Sequence, residues 1–144
     1  MSAEANKALA RRFQEEIENQ GNLDVVDEIV AADYVYHGPG GQEVRSPEAL
    51  KEMVTMFRTG FPDLNITSEQ MIAEGDKVVS RYTLQGTHNG DLMGIPPTGK
   101  QVTMTGVVVC RVAGGRIAEV WEEFDQMGMM TQLGVVSHPG EGGE

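Results

Sequence analysis

The sequence predicts an α+β fold in which three N-terminal helices pack on a curved antiparallel sheet, forming a cone with an internal cavity. Two observations carry the prediction. Apolar residues recur at helical spacing up to residue 60 and at strand spacing from residue 64 onward, so helices and strands are segregated along the chain rather than alternating. The chain has 144 residues and 40% apolar content, enough for one sizeable core, and no internal repeat or interior linker divides it. Residues 1–136 are read as a single domain. The Gly- and Glu-rich stretch 137–144 is read as a flexible tail.

The elements follow in order. Residues 3–20 read as a helix, because Leu9, Phe13 and Ile17 recur at four-residue steps with Ala10 beside them, and Gly21 is a natural stop. Asn22 is read as the cap of a short helix carrying Leu23, Val26, Ile29 and Val30. Asp33 to His37 reads as a short extended piece that Gly38-Pro39-Gly40-Gly41 breaks. Ser46-Pro47 starts a third helix with Leu50, Met53, Val54 and Phe57 on one face, and Gly60 ends it. Four strands follow over 64–73, 77–88, 100–112 and 116–124. Glu74-Gly75-Asp76 and Gly114-Gly115 supply tight turns, and 89–99 is a long Gly- and Pro-rich connection. Residues 126–133 read as a closing helical turn.

The formal net charge of −11 excludes nucleic acid and anionic membrane as natural partners, since both demand basic surface. It also disfavours free anionic substrates, so the expected ligand is a neutral, apolar small molecule. The single cysteine, Cys110, permits neither an intramolecular disulfide nor a thiolate zinc cluster, and its apolar strand makes it a small core residue. His37, His88 and His138 lack metal-ligand spacing, so no metal is expected. The N-terminus lacks a basic stretch followed by an apolar one, and no apolar run is long enough to span a bilayer. The expected location is cytoplasmic.

The most informative stretch is the last strand, Arg116 to Phe124. Strand alternation puts Ala118, Val120, Glu122 and Phe124 on one face and Ile117, Glu119, Trp121 and Glu123 on the other. Glu122 is thus a carboxylate among small and apolar neighbours. Turned inward, it is costly to bury charged, which marks it as a candidate acid or base with a raised pKa. Tyr36 and His37 are candidate donors to a carbonyl or enolate oxygen. Arg81 either faces the cavity, fixing a carboxylate or a substrate carbonyl, or faces outward to pair with Glu119 or Glu123. Met104, Val108, Val120 and Phe124 are read as cavity walls. Tyr34 and Tyr82 are read as core aromatics whose hydroxyls reach a partner. Asp125 is read as the cap of the closing helix in preference to a site residue. Trp121, among carboxylates on the opposite face, suggests a contact in a homodimer.

Several segments resemble one family: Phe61-Pro62-Asp63-Leu64, Gly86-Thr87-His88-Asn89-Gly90, Gly94-Ile95-Pro96-Pro97-Thr98-Gly99-Lys100, Gly115-Arg116-Ile117 leading to Trp121 and Asp125, and Gln132-Leu133-Gly134. Together they resemble the SnoaL-like polyketide cyclase (ester cyclase) family over residues 5–136. The resemblance implies the cone-shaped α+β fold shared with nuclear transport factor two, a mostly apolar cavity, often a homodimer, and no metal or organic cofactor. It implies ring closure by intramolecular aldol chemistry, with a carboxylate on the last strand as base at the position of Glu122. The cyclases of known chemistry place a His where this chain has Val120, and a Gln and a His where it has Gly106 and Val108. An Asn of the early extended segment corresponds roughly to Tyr36 or His37. The reading is therefore carboxylate-mediated proton transfer on an apolar carbonyl compound, by cyclisation or isomerisation. Epoxide hydrolase-like water activation and non-catalytic binding of an apolar molecule are the alternatives.

Overall fold

The computed structural model describes residues 2–135; the proposed tail, 137–144, and His138 lie outside them. Helix α1, Ala3–Arg12, is capped by the Ser2 hydroxyl, which accepts from the Ala5 amide. It runs without interruption into a π-helical segment, Phe13–Asn19. The single helix expected over 3–20 is therefore wound in two ways. The change of pitch rotates the residues after Phe13 relative to the 3.6-residue face. Gly21, at φ +69, ends the segment.

Helix α2, Asp24–Ile29, begins later than an Asn22 cap would place it, with Leu23 at the cap position and no side-chain cap bond. Strand β1, Val30–His37, is longer than the extended piece expected from residue 33, and it claims Val30 from the predicted helix. The β-branched side chain suits the pleated sheet. After a single 3-10 turn, Pro39–Gly41, comes a strand that periodicity did not reveal, β2, Glu43–Arg45. Helix α3, Pro47–Gly60, starts as the sequence indicates, with the Ser46 hydroxyl accepting from the Ala49 amide at 3.1 Å. Strands β3 (Asn65–Glu74), β4 (Lys77–Thr87), β5 (Gln101–Ala113) and β6 (Arg116–Phe124) form the expected meander. Helix α4, Gln126–Leu133, closes the chain. Its cap is Asp125, whose carboxylate accepts from the Gly128 amide at 2.9 Å.

The six strands lie in the order β2-β1-β6-β5-β4-β3. The sheet is mixed, which corrects the antiparallel expectation: β1 runs parallel to β6, and every other pair is antiparallel. The meander alone leaves β6 as a bare edge with unpaired amides and carbonyls, and β1 covers it. No helix among the described residues is long and apolar enough to cross a membrane.

The helices cover one face of the sheet and build two core regions. Ile17, Val26, Leu50, Val78 and Ile117 fill the space under α1, α2 and α3. Phe61, Leu84, Leu92, Val102 and Leu133 fill the other end, under α4 and the 88–99 connection. Val108 packs against both regions, and Glu122 is its cross-strand partner. Cys110 is buried in the first region, and burial pushes its thiol up to about 11, far from a reactive thiolate.

Candidate active site

Strand β6 presents Val120, Glu122 and Phe124 to the helix-covered face, as alternation predicts. Nearer its start the alternation breaks. Val112 pairs with Ile117 and Arg111 with Glu119, so Ala118 is an extra residue in the ladder. This bulge turns Ile117 inward beside Val120, whereas strict alternation had assigned that place to Ala118.

Glu122 is held by two tyrosines from different strands. The Tyr36 hydroxyl, on β1, donates to one carboxylate oxygen at 2.7 Å. The Tyr82 hydroxyl, on β4, donates to the other oxygen in a short hydrogen bond. Both rings are buried. Strand β5 lies between β4 and β6, and Tyr82 crosses it at Gly106, its register partner. A Cβ at position 106 would run into the Tyr82 hydroxyl and come within 2.9 Å of the Glu123 carbonyl oxygen. The glycine is therefore what lets the phenol reach the carboxylate. Burial pushes Glu122 above the ordinary carboxyl value of 4.5, the two tyrosines pull it back down, and the nearby Glu123 pushes it up again. Burial and the Glu122 charge push both phenols far above their ordinary range, which keeps them protonated as donors.

Two adjoining pockets meet at this carboxylate. The first lies between the helices and the sheet, with a free volume of about 70 Å³, and is walled in part by Val108, Val120 and Ile117. The second, of about 60 Å³, runs toward Leu64, Leu84, Met104 and Phe124. Glu122, Tyr36, Tyr82 and Glu18 line both. Such spaces hold a few water molecules each, so a larger ligand must push the walls apart. Met53, Met71 and Met104 are unbranched and adaptable wall residues suited to that.

Of the residues singled out in the sequence, Tyr36, Met104, Val108, Val120, Glu122 and Phe124 lie together in these walls. His37 and Arg81 do not, which corrects both cavity assignments. His37 alternates with Tyr36, so only one of the pair faces inward. Its Nε2 is 2.7 Å from a Glu119 carboxylate oxygen, and its ring stacks on Trp121 at 5.5 Å between centroids. Arg81 alternates with the inward Ser80 and Tyr82. Its Nε donates to the Gln70 side chain at 3.0 Å on the exposed face. Glu119, one of its expected partners, is engaged by His37 and by Arg111. Arg81 therefore faces away from Glu122.

Two groups of the site lie outside the set that the sequence marks for it. The sequence marks Tyr82 as a core aromatic with a partner, and that partner is the carboxylate itself. The alternation of Val78, Ser80, Tyr82 and Leu84 was the available signal. Glu18 gave no signal, because it lies on the π-helical segment, off the 3.6-residue stripe of Leu9, Phe13 and Ile17. Its carboxyl has no hydrogen-bond partner among the described residues. Burial pushes it well above the ordinary value, and the Glu122 charge adds to the push. Arg58 of α3 donates to the main-chain carbonyls of Glu18 and Asn19 at 3.0 and 2.7 Å. The Asn19 side chain is in turn clasped at both ends to the backbone of Ile66 on β3.

Comparison with known proteins agrees with this architecture. The family model for SnoaL-like polyketide cyclase matches residues 8–133. The aklanonic acid methyl ester cyclase DnrD of Streptomyces peucetius is 30% identical over 129 residues, covering 88% of each chain. A SnoaL-like protein from Jannaschia sp. CCS1 superposes with a TM-score of 0.86 at 26% identity, covering 93% of this chain and 94% of its own. IdmH from Streptomyces antibioticus superposes at 0.79 with 33% identity, over 90% of this chain and 98% of its own.

Proposed function

This chain belongs to the SnoaL-like polyketide cyclase family, and on that premise we propose that it closes a carbon ring in an apolar polyketide ester by intramolecular aldol addition, with Glu122 as the base. The observation that carries the proposal is the position of Glu122. Each of its carboxylate oxygens is held by a tyrosine hydroxyl at the point where two apolar pockets meet. A base that must remove a proton from carbon flanked by carbonyls benefits from a raised pKa, and burial supplies it.

The tyrosines give the step its electrostatics. Before transfer they hold the carboxylate in one orientation. As the proton moves, negative charge passes from Glu122 to the enolate oxygen, and the same two hydroxyls are within reach to follow it. The enolate carbon then attacks a second carbonyl of the same molecule. Nothing is lost from the substrate in the addition, and the step as proposed draws on no cofactor.

The substrate class follows the relatives: a polyketide methyl ester of the aklanonic acid type. Incubation with aklanonic acid methyl ester is expected to yield a product of the same mass and a new chromatographic retention time. An ester recovered unchanged, with its activated hydrogen not exchanged for solvent deuterium, would overturn the proposal.

The same reading includes a homodimer joined through the outer sheet face, where Val107 and Trp121 are 41% and 36% exposed. Sedimentation is expected to give twice the monomer mass at high micromolar concentration. A monomer there would rule the interface out.

A further inference from the structure

We propose that Glu18 is the general acid of the reaction, the partner of the base Glu122, and that the substrate therefore carries a second carbonyl oxygen that leaves the site as a hydroxyl. The inference rests on the ring-closing reading above and assigns a group that the base step does not use. Three observations support it independently of one another.

The first is placement. Glu18, on the helical segment, and Glu122, on the sheet, line both pockets together, so a ligand that fills them meets a carboxyl from each layer. The second is local structure. Glu18 sits in a seven-residue π-helical segment, a rare winding that recurs at functional sites. That segment is fastened rather than loose, through the Arg58 donors to the carbonyls of residues 18 and 19 and the two-point grip of Asn19 on Ile66. A Cβ at position 21 would come within 2.7 Å of the Arg58 side chain, so Gly21 leaves room for this clamp.

The third is the contrast between the two carboxyls. Glu122 has two hydroxyl donors that stabilise its charged form. Glu18 has none among the described residues. The groups around it are Glu122 from β6, Tyr34 and Tyr36 from β1, Tyr82 from β4, Cys110 from β5, Gln14 on its own segment and Arg58 from α3. Arg58 turns its Nη1 to main-chain carbonyls. Burial raises both carboxyls, and only Glu122 has hydroxyl donors that favour its charged form, so their surroundings push the two apart in the sense that divides acid from base. In this assignment Glu18 is the proton donor and Glu122 the proton acceptor.

The step balances. Glu122 takes the proton from the activated carbon, and the C–H electron pair becomes the enolate. The enolate carbon forms a C–C bond to the second carbonyl carbon, whose π pair moves onto its oxygen. That oxygen takes the proton of Glu18 and becomes a hydroxyl. Glu122 is then neutral and Glu18 charged, and one proton passed from the former to the latter through solvent restores the site with no net consumption.

Glu18→Gln tests this, because it keeps the shape and removes the transferable proton. In the resting wild type at neutral pH, infrared difference spectra against the variant are expected to show a protonated carboxyl assigned to Glu18. A group whose folded pKa is raised loses its stabilising contribution as pH rises above the ordinary value of 4.5. The variant is therefore expected to melt a few degrees higher than wild type at neutral pH and level with it near 4.5. With aklanonic acid methyl ester, its kcat for ring closure is expected to fall by about 10²-fold and to lose the alkaline limb, with KM little changed. It is still expected to exchange the activated hydrogen with solvent, which is the work of Glu122. A charged Glu18 in the resting protein overturns the assignment. So does ring closure by Glu18→Gln at the wild-type rate while Glu122→Gln is inactive, a result that leaves the ring-closing function standing. A wild type that neither exchanges nor cyclises the ester overturns that function, and this role with it.

Discussion

Glu122→Gln is expected to lose at least about 10³-fold in kcat/KM for ring closure while becoming more stable at neutral pH. Both effects come from the same burial. The amide has the volume of the carboxyl and still offers an acceptor to one tyrosine and a donor to the other, so packing around Tyr36 and Tyr82 is preserved. What disappears is the ability to take a proton from carbon. The sign of the stability change follows from the raised pKa. A carboxyl whose folded pKa lies above the ordinary 4.5 stabilises the fold while protonated, and that stabilisation is lost as pH rises through the folded value. The Gln variant carries no such loss. Its advantage in melting temperature is expected at neutral pH and should vanish as pH falls toward 4.5. Activity and stability moving in opposite directions, measured by kinetics and calorimetry on the same preparations, separate a lost base from a damaged fold. Loss of both together would mean that Glu122 is structural.

The double variant Tyr36→Phe, Tyr82→Phe is expected to lower kcat by about 10²-fold or more, from the removal of two charge-assisted hydrogen bonds to the reacting groups. It is also expected to move the acidic limb of the pH profile upward. The base works in its charged form, so kcat/KM rises with pH through the Glu122 pKa. The hydroxyls hold that pKa down, and removing them lets burial dominate. A pH–rate profile in which the limb stays in place would show that the tyrosines do not act on Glu122. Gly106→Ala reaches the same point by another route, since the added Cβ occupies the place of the Tyr82 hydroxyl. It is expected to lower kcat in the same direction as Tyr82→Phe and to add little when combined with it.

The fold was legible where a local pattern decided it. Strand β6 has the bounds that alternation and the Gly114-Gly115 turn assign to it, and Ser46 and Asp125 cap the helices that their side chains advertise. That Glu122 shares a face with Val120 and Phe124 followed from period two alone, and the helices over that face are what turn it inward. Other features depend on distant parts of the chain. The apolar run from Ile29 to Ala32 fits a helix or a strand equally well by periodicity, and only the open edge of β6 makes it β1. The parallel sense of that pairing and the three-residue β2 carry no local signature. The bulge that exchanges Ala118 for Ile117 arises from a register mismatch between β5 and β6, which no single strand records.

The site divides in the same way. Tyr36 and His37 are adjacent, so alternation requires that one face out, but the phase of β1 is set by its neighbour β6. The phase of β4 was readable, because Val78, Ser80, Tyr82 and Leu84 alternate with Arg81 between them, which places the arginine outside and the tyrosine inside. Glu18 was out of reach of any 3.6-residue count, since its orientation depends on the π-helical winding after Phe13.

The central claim is that Glu122 removes a proton from carbon, and solvent hydrogen exchange measures that step without requiring ring closure. With aklanonic acid methyl ester in deuterated buffer at neutral pH, the wild type is expected to introduce deuterium at the carbon between the carbonyls well above the uncatalysed rate, and Glu122→Gln to leave that rate at background. Exchange by Glu122→Gln as fast as by the wild type would contradict the account.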